Sequence, residues 1–256
     1  MDPWTVARPP CLVARGKQNR RRGASHTHRI ISIQGVVGYD RKLQGLAIAL
    51  SSLAGFVDAL GFVTLGGVFV SFMSGNSTRM SVGIADGHWS QAALVAGILG
   101  LFVTGVVLGG VVAEITGPDR RSRKFSVLAA VSALLFAGAV AAALGWTPVA
   151  IIAMTLAMGA ENNVFRRDGE TSVALTYMTG ALVKIGQRVA AAMFGGPRWS
   201  FLPYLGLWAG LVGGAVLGAL AHNAFGLHAL WIATAAALAL TVAVRYLPYK
   251  PATRPM

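Results

Sequence analysis

The chain has 256 residues, of which 55% are hydrophobic and 12% charged, and its mean hydropathy is +0.61. A soluble fold of this length carries about twice that share of charge, so the composition argues against a soluble enzyme or binding module and places the chain in a membrane. The net charge of +13 does not indicate nucleic acid. Nine Lys and Arg lie before residue 43 and most others cluster between apolar runs, the pattern that orients a membrane protein.

Residues 1–42 carry prolines, scattered basic residues and little apolar periodicity, and are expected to form a disordered basic tail on the cytoplasmic side. No apolar stretch within 11–41 suits a secretory signal, and the low acid content only imitates a transit peptide. Cys11 is the single cysteine, which rules out a disulfide within one chain, and the five histidines show no ligand spacing. No metal or other cofactor is therefore expected.

A membrane domain over 43–247 follows, with a short tail at 248–256. Residues 43–65 are apolar and long enough to cross a bilayer. Segment 66–88 is awkward: Gly66 and Gly67 break it, a short apolar run follows, and Ser74-Gly75-Asn76-Ser77-Thr78-Arg79 turns polar too early. Clear spans are expected at 91–115 and 125–144, separated by a charged loop at 117–124. A shorter helix is expected at 149–165, closed by Arg166 and Arg167. Segment 168–198 repeats the awkwardness with an acidic opening, Thr179-Gly180 and Lys184. Spans at 201–221 and 227–246 complete the chain. The first carries Gly206, Gly210, Gly214 and Gly218 every fourth residue, a face for close helix packing.

Charge placement decides the topology. With eight crossings and the basic tail inside, the cluster at 120–124 would lie outside, against the positive-inside rule. With about six crossings and two short re-entrant or broken segments, the tail, residues 120–124, Arg166, Arg167 and the C-terminus all lie inside. The expected fold is thus an all-α polytopic membrane protein. Its two pseudo-symmetric repeats, 43–144 and 149–247, would then be inverted. Both termini are expected to be cytoplasmic in a multi-pass inner-membrane protein.

The halves share a chemical order. Gly55 stands three residues before Asp58 as Gly159 stands three before Asn162, and Ser74-Gly75 with Arg79 matches Thr179-Gly180 with Lys184. Paired polar, glycine-broken segments of this kind mark sites inside inverted-repeat transporters. Gly55, Gly75, Gly159 and Gly180 are expected at backbone turns. A carboxylate at membrane depth faces the protein interior, pairs or takes up a proton, so Asp58 and Glu161 are candidate proton-linked groups. The alternative is structural: pairs of Asp58 with Arg79 and Glu161 with Lys184. Asn76, Thr78, Arg79, Asn162, Thr179 and Lys184 are candidate solute contacts. The amides at the start of a half-helix, with Arg79, would suit an anion or a carboxylate; the alternative is a helix cap by Ser74, Asn76 or Ser77. No nucleophile elbow, Walker-type loop or HExxH motif is present.

The stretches AGFVDALGF (54–62), GGVFVSFMSGNSTR (66–79), MGAENNVFRR (158–167) and YMTGALVK (177–184) resemble the YoaK-type family of small bacterial integral membrane proteins, a domain of unknown function. The resemblance covers essentially everything after residue 42. It implies a polytopic bacterial inner-membrane protein and brings no reaction, substrate or cofactor. Glu161 stands where glutamine is common in that family, and Val183-Lys184 where Thr-Arg would mirror the first half. The expected function is a transporter or permease for a small solute, embedded in the lipid bilayer, with a homo-oligomer left open. The rival expectation is a non-transporting scaffold or partner subunit, docking through the glycine face at 206–218.

Overall fold

The computed structural model describes residues 41–167, 170–171 and 178–246. The expected N-terminal tail up to residue 40, the C-terminal tail and most of the acidic opening at 168–177 lie outside the described residues. Among the described residues the chain forms eight α-helices: α1 Arg41–Thr64, α2 Met73–Ala85, α3 Trp89–Ile115, α4 Arg120–Ala143, α5 Thr147–Glu161, α6 Met178–Met193, α7 Leu202–Phe225 and α8 Leu230–Tyr246. A two-residue antiparallel pairing joins Arg166–Arg167 to Glu170–Thr171. The fold is a polytopic helical membrane fold.

Helices α1, α3 and α4 and the 45-residue run Leu202–Tyr246 are long and apolar enough to cross a bilayer. That last run would extend about 67 Å if straight, against a hydrocarbon core of about 30 Å. Gly226, at φ 59°, and the 3-10 turn Gly226–Ala229 divide it into α7 and α8. The left-handed backbone at that break suits a residue without a Cβ.

Two boundaries differ from those expected. The basic residues 120–124 are helical, because Asp119 caps α4: its carboxylate accepts from the amides of Arg121 (3.3 Å) and Ser122 (3.0 Å) and from the Ser122 hydroxyl (2.6 Å). These bonds, the Ser122 hydroxyl first, hold the Asp119 carboxyl below its ordinary range. The helix expected over 149–165 stops instead at Glu161, for reasons that belong to the site below.

Packing is set by glycine. A Cβ at Gly214 would strike the carbonyl oxygen of Ser52, one at Gly218 that of Phe56, and one at Gly210 that of Ile48, while Gly206 faces the Ile48 side chain. The face 206–218 is therefore covered by α1, and the docking surface expected for a partner is already occupied. Gly55 returns the contact, since a Cβ there would strike the carbonyl of Leu211. α3 and α5 pack in the same manner: Gly105 against Leu156, Gly109 against Ala160, Gly159 against Phe102 and Val106. Rising residue numbers on both partners make each pair parallel. α4 runs antiparallel to α5, with Gly138 beside Ala150 and Ala153 and Lys124 bonded to Val164. α4 is also antiparallel to α8, with Ser132 bonded to Thr241 at 3.0 Å and Phe136 against Trp231.

Gly214→Ala should cost about 2 kcal/mol or more by overpacking against Ser52. A Cβ at the adjacent Gly213 meets nothing within 4 Å, so Gly213→Ala should be neutral or slightly stabilising. The thermal unfolding midpoints of the two variants in detergent test the contrast.

Candidate functional site

The site begins where α1 ends. The Gly67 amide bonds to Phe62 O and the Gly66 amide to Val63 O, a Schellman closure with φ of 62° at Gly66 and 101° at Gly67. The chain then returns alongside α1. Val70 packs on Gly61, where a Cβ would meet the valine methyl at 2.5 Å. The amides of Val70 and Ser71 both donate to Asp58 Oδ1, at 2.8 and 2.7 Å. Asp58 lies six residues below Thr64, so the loop descends about 9 Å from the helix end. Asn76, fully buried, brackets the loop: Oδ1 accepts from the Phe69 amide at 3.0 Å and Nδ2 donates to Phe69 O at 2.7 Å. The Phe69 ring lies tilted against Phe62 and edge to face with Phe72, at centroid separations of 4.7 and 5.2 Å.

This geometry corrects several expectations. Asp58 does not pair with Arg79, the structural alternative; its carboxylate accepts from backbone amides of the loop ahead of α2. Gly75 is not a turn but a helical residue beneath the Phe72 ring, and Gly55 and Gly159 are mid-helix points of close approach. Gly180 lies in the first turn of α6. The turn glycines of this site are Gly66 and Gly67. None of Ser74, Asn76 or Ser77 caps α2, whose N-cap is Phe72 without a side-chain bond. Ser77 and Thr78 donate instead to the carbonyls of Met73 (2.9 Å) and Ser74 (3.2 Å) within their own helix. Arg79 extends to Gly67, with Nη1 placed 2.8 Å from where a Cβ would stand, and its Nε is buried without a partner.

The second half solves the same problem differently. α5 ends at Glu161, and the residues beyond it turn into the protein, where Val164 and Phe165 are buried. Lys124, itself buried, donates to Val164 O at 3.1 Å and lies 3.9 Å from the Phe165 ring centroid. Asn163 Nδ2 donates to Val106 O at 3.0 Å, tying the same turn to α3, and Asn162 Nδ2 donates to Met158 O at 3.0 Å. Glu161 is fully buried, and neither carboxyl oxygen has a hydrogen-bond partner. Lys184 does not pair with it; its ammonium sits 5.3 Å from the Tyr204 ring centroid. Thr179 is exposed on α6. Ala181, equivalent in the motif to Asn76, cannot bracket a loop.

Sequence reasoning missed Lys124 and Asn163. The signal for Lys124 was present: residues 124, 127, 128, 131 and 135 share one helical face, and all are buried.

A family model described as "Protein of unknown function (DUF1275)" matches residues 46–243. The chain belongs to the DUF1275 family. A UPF0700 transmembrane protein of Rhizobium meliloti (strain 1021) is 36% identical to it over 210 residues, covering 81% of this chain and 89% of that one. No solved structure matches. The region shared with DUF1275 contains both halves of the site, from Asp58 to Lys184.

In this DUF1275 protein, Asp58→Ala would strand the amides of Val70 and Ser71 and should destabilise by about 3 kcal/mol. Asp58→Asn keeps an acceptor and should cost less. Denaturant unfolding of the purified protein measures both, and equal stability of Asp58→Ala and wild type would remove Asp58 from this role.

Proposed function

We propose that this DUF1275 protein is a transporter or permease for a small solute, with six crossings arranged as two inverted repeats and a path between the half-helices α2 and α6. At about 1.5 Å per residue the 13-residue α2, the shortest of the eight described α-helices, spans roughly 20 Å. Helix directions support the count. If α8 returns after α7, then α1, α4 and α7 run one way and α3, α5 and α8 the other, so α2 and α6 each begin and end on one side.

Register supports the repeats. Ser52, Gly55 and Phe56 stand 104 residues before Leu156, Gly159 and Ala160, while Phe102, Gly105, Val106 and Gly109 stand 109 before Leu211, Gly214, Ala215 and Gly218. The contacts that Gly55, Gly214 and Gly218 make between α1 and α7 are thereby matched by those that Gly159, Gly105 and Gly109 make between α5 and α3. Ser132 and Thr241, bonded to each other, are also 109 apart, as expected for residues on a two-fold axis.

The observation that carries a transport role is Glu161. A fully buried carboxyl with no partner is costly and is retained where a transient partner, a proton or a solute, completes it. In this reading Glu161 is the proton-linked group, Asp58 and Asn76 hold the first loop in place, and Thr78, Arg79, Asn162, Thr179 and Lys184 remain the candidate solute contacts. The scaffold alternative loses its basis, since α1 covers the glycine face. An enzymatic role lacks support, because among the described residues the polar groups form no nucleophile with an adjacent base. The protein is read as multi-pass in the plasma membrane with both termini cytoplasmic.

Proteoliposomes holding a pH-sensitive dye, challenged with a panel of radiolabelled small solutes, should show proton movement linked to uptake of at least one. Glu161→Gln should fold with a similar midpoint and lose the proton linkage. Unchanged linkage in that variant, or no uptake by wild type across the panel, would sink the proposal. After replacement of Cys11, single cysteines at 70–80 should react from one side of the membrane and those at 178–185 from the other; reaction of both sets from the same side would overturn the inverted arrangement.

A further inference from the structure

The contact between α4 and α8 offers an internal comparison. The 109-residue register that relates Ser132 to Thr241 also relates Ser122 to Trp231 and Phe136 to Arg245. The two sides of the Ser132–Thr241 bond therefore present equivalent backbone positions with different chemistry. On one side Trp231 and Phe136 meet edge to face, with centroids 5.6 Å apart, and fill the angle between the helices. On the other side the positions of those two rings are taken by Ser122 and Arg245. There a half-open cavity of about 520 Å³ remains, lined by Arg121, Ser122, Phe125, Ser126 and Arg245.

We infer that this cleft binds a phosphate group, carried by the head of an anionic phospholipid or by a soluble phosphate. Two guanidinium forks and the Ser126 hydroxyl supply donors from two helices, and guanidinium matches phosphate oxygens bidentately. Asp119 is an acid at the start of α4; after its bond to the Ser122 hydroxyl, the nearby Arg121 charge helps to hold its carboxyl below the ordinary range. Its carboxylate is already engaged by the amides of Arg121 and Ser122 and by the Ser122 hydroxyl, so it caps α4 and leaves the arginines as the charged donors. The proposed inverted-repeat reading sets Ser132 on a two-fold axis at the midplane. On that reading Ser122 lies ten residues away, about 15 Å along the helix and half of a hydrocarbon core of about 30 Å, the depth of a lipid head. A basic pocket between spanning helices at that level suits an anionic head group, with Phe125 as its apolar wall.

The test uses the full chain in nanodiscs of phosphatidylcholine with and without phosphatidylglycerol, and separately with added inorganic phosphate. Retained lipid is counted by native mass spectrometry and stability by thermal unfolding. Wild type should retain phosphatidylglycerol over phosphatidylcholine, and the double variant Arg121→Gln with Arg245→Gln should retain it at least tenfold less. Arg123→Gln, whose guanidinium bonds to Pro118 O at 3.3 Å, should behave as wild type. Retention unaffected by inorganic phosphate assigns the phosphate to a lipid head. A thermal shift with inorganic phosphate alone, lost in the double variant, assigns it to a soluble ion. Should the glutamine pair fail to fold, Ser122→Trp with Arg245→Phe rebuilds the aromatic filling of the opposite side and must also abolish binding. Either folded variant holding both probes as wild type does overturns the inference.

Discussion

A backbone that leaves helical geometry inside a bilayer has to find its hydrogen-bond partners within the protein, because the hydrocarbon offers none. This chain meets that requirement with two ionisable side chains of opposite sign. Asp58 accepts from the amides of Val70 and Ser71 where the chain returns from α1 toward α2. Lys124 donates to the carbonyl of Val164 where α5 has stopped short. An acid is matched to exposed donors and a cation to an exposed acceptor, so each break in the helical ladder is closed by the charge its own polarity attracts. Asn76 and Asn163 then fix the two turns in place.

Those breaks are useful only if the surrounding helices are close enough to exclude lipid from them. Close approach comes from glycine, and it comes between halves: α1 lies on α7 and α3 on α5, with backbone carbonyls where side chains would otherwise stand. Without a hydrophobic driving force between helices in lipid, such contact depends on shape and dispersion, which explains why small residues recur at one register in both pairs. The exchange also means that neither half could bury its first helix alone. Two groups are left over among the described residues: the Arg79 Nε and Glu161, a carboxyl enclosed by the packing and satisfied by none of it.

Much of this was legible beforehand. Spans at α1, α3, α4 and α7 follow from uninterrupted apolar length, and the break after α1 follows from Gly66 and Gly67, whose positive φ no other residue adopts cheaply. Asp58, Asn76 and Arg79 stood out as polar groups in an apolar stretch, and all three lie at the loop. What was misread has a common cause. Gly55, Gly75 and Gly159 looked like turn residues because sequence alone does not distinguish a glycine needed for its backbone angles from one needed for its missing side chain. The structural alternative, pairs of Asp58 with Arg79 and Glu161 with Lys184, rests on opposite charges meeting, whereas the partners of Asp58 are backbone amides exposed by the loop it serves.

The sequence by itself determined the membrane class, the family, the break after α1 and the polar residues beside it, since apolar length, glycine placement and charge distribution are local properties of the chain. Only the tertiary structure decided which amide or carbonyl each charged group serves, that Lys124 belongs to the end of α5, that the glycine face of α7 is spent on α1, and that Glu161 is left alone. These are relations between residues tens to more than a hundred positions apart, and their energies depend on contact and burial. Spacing along the chain does not encode either one.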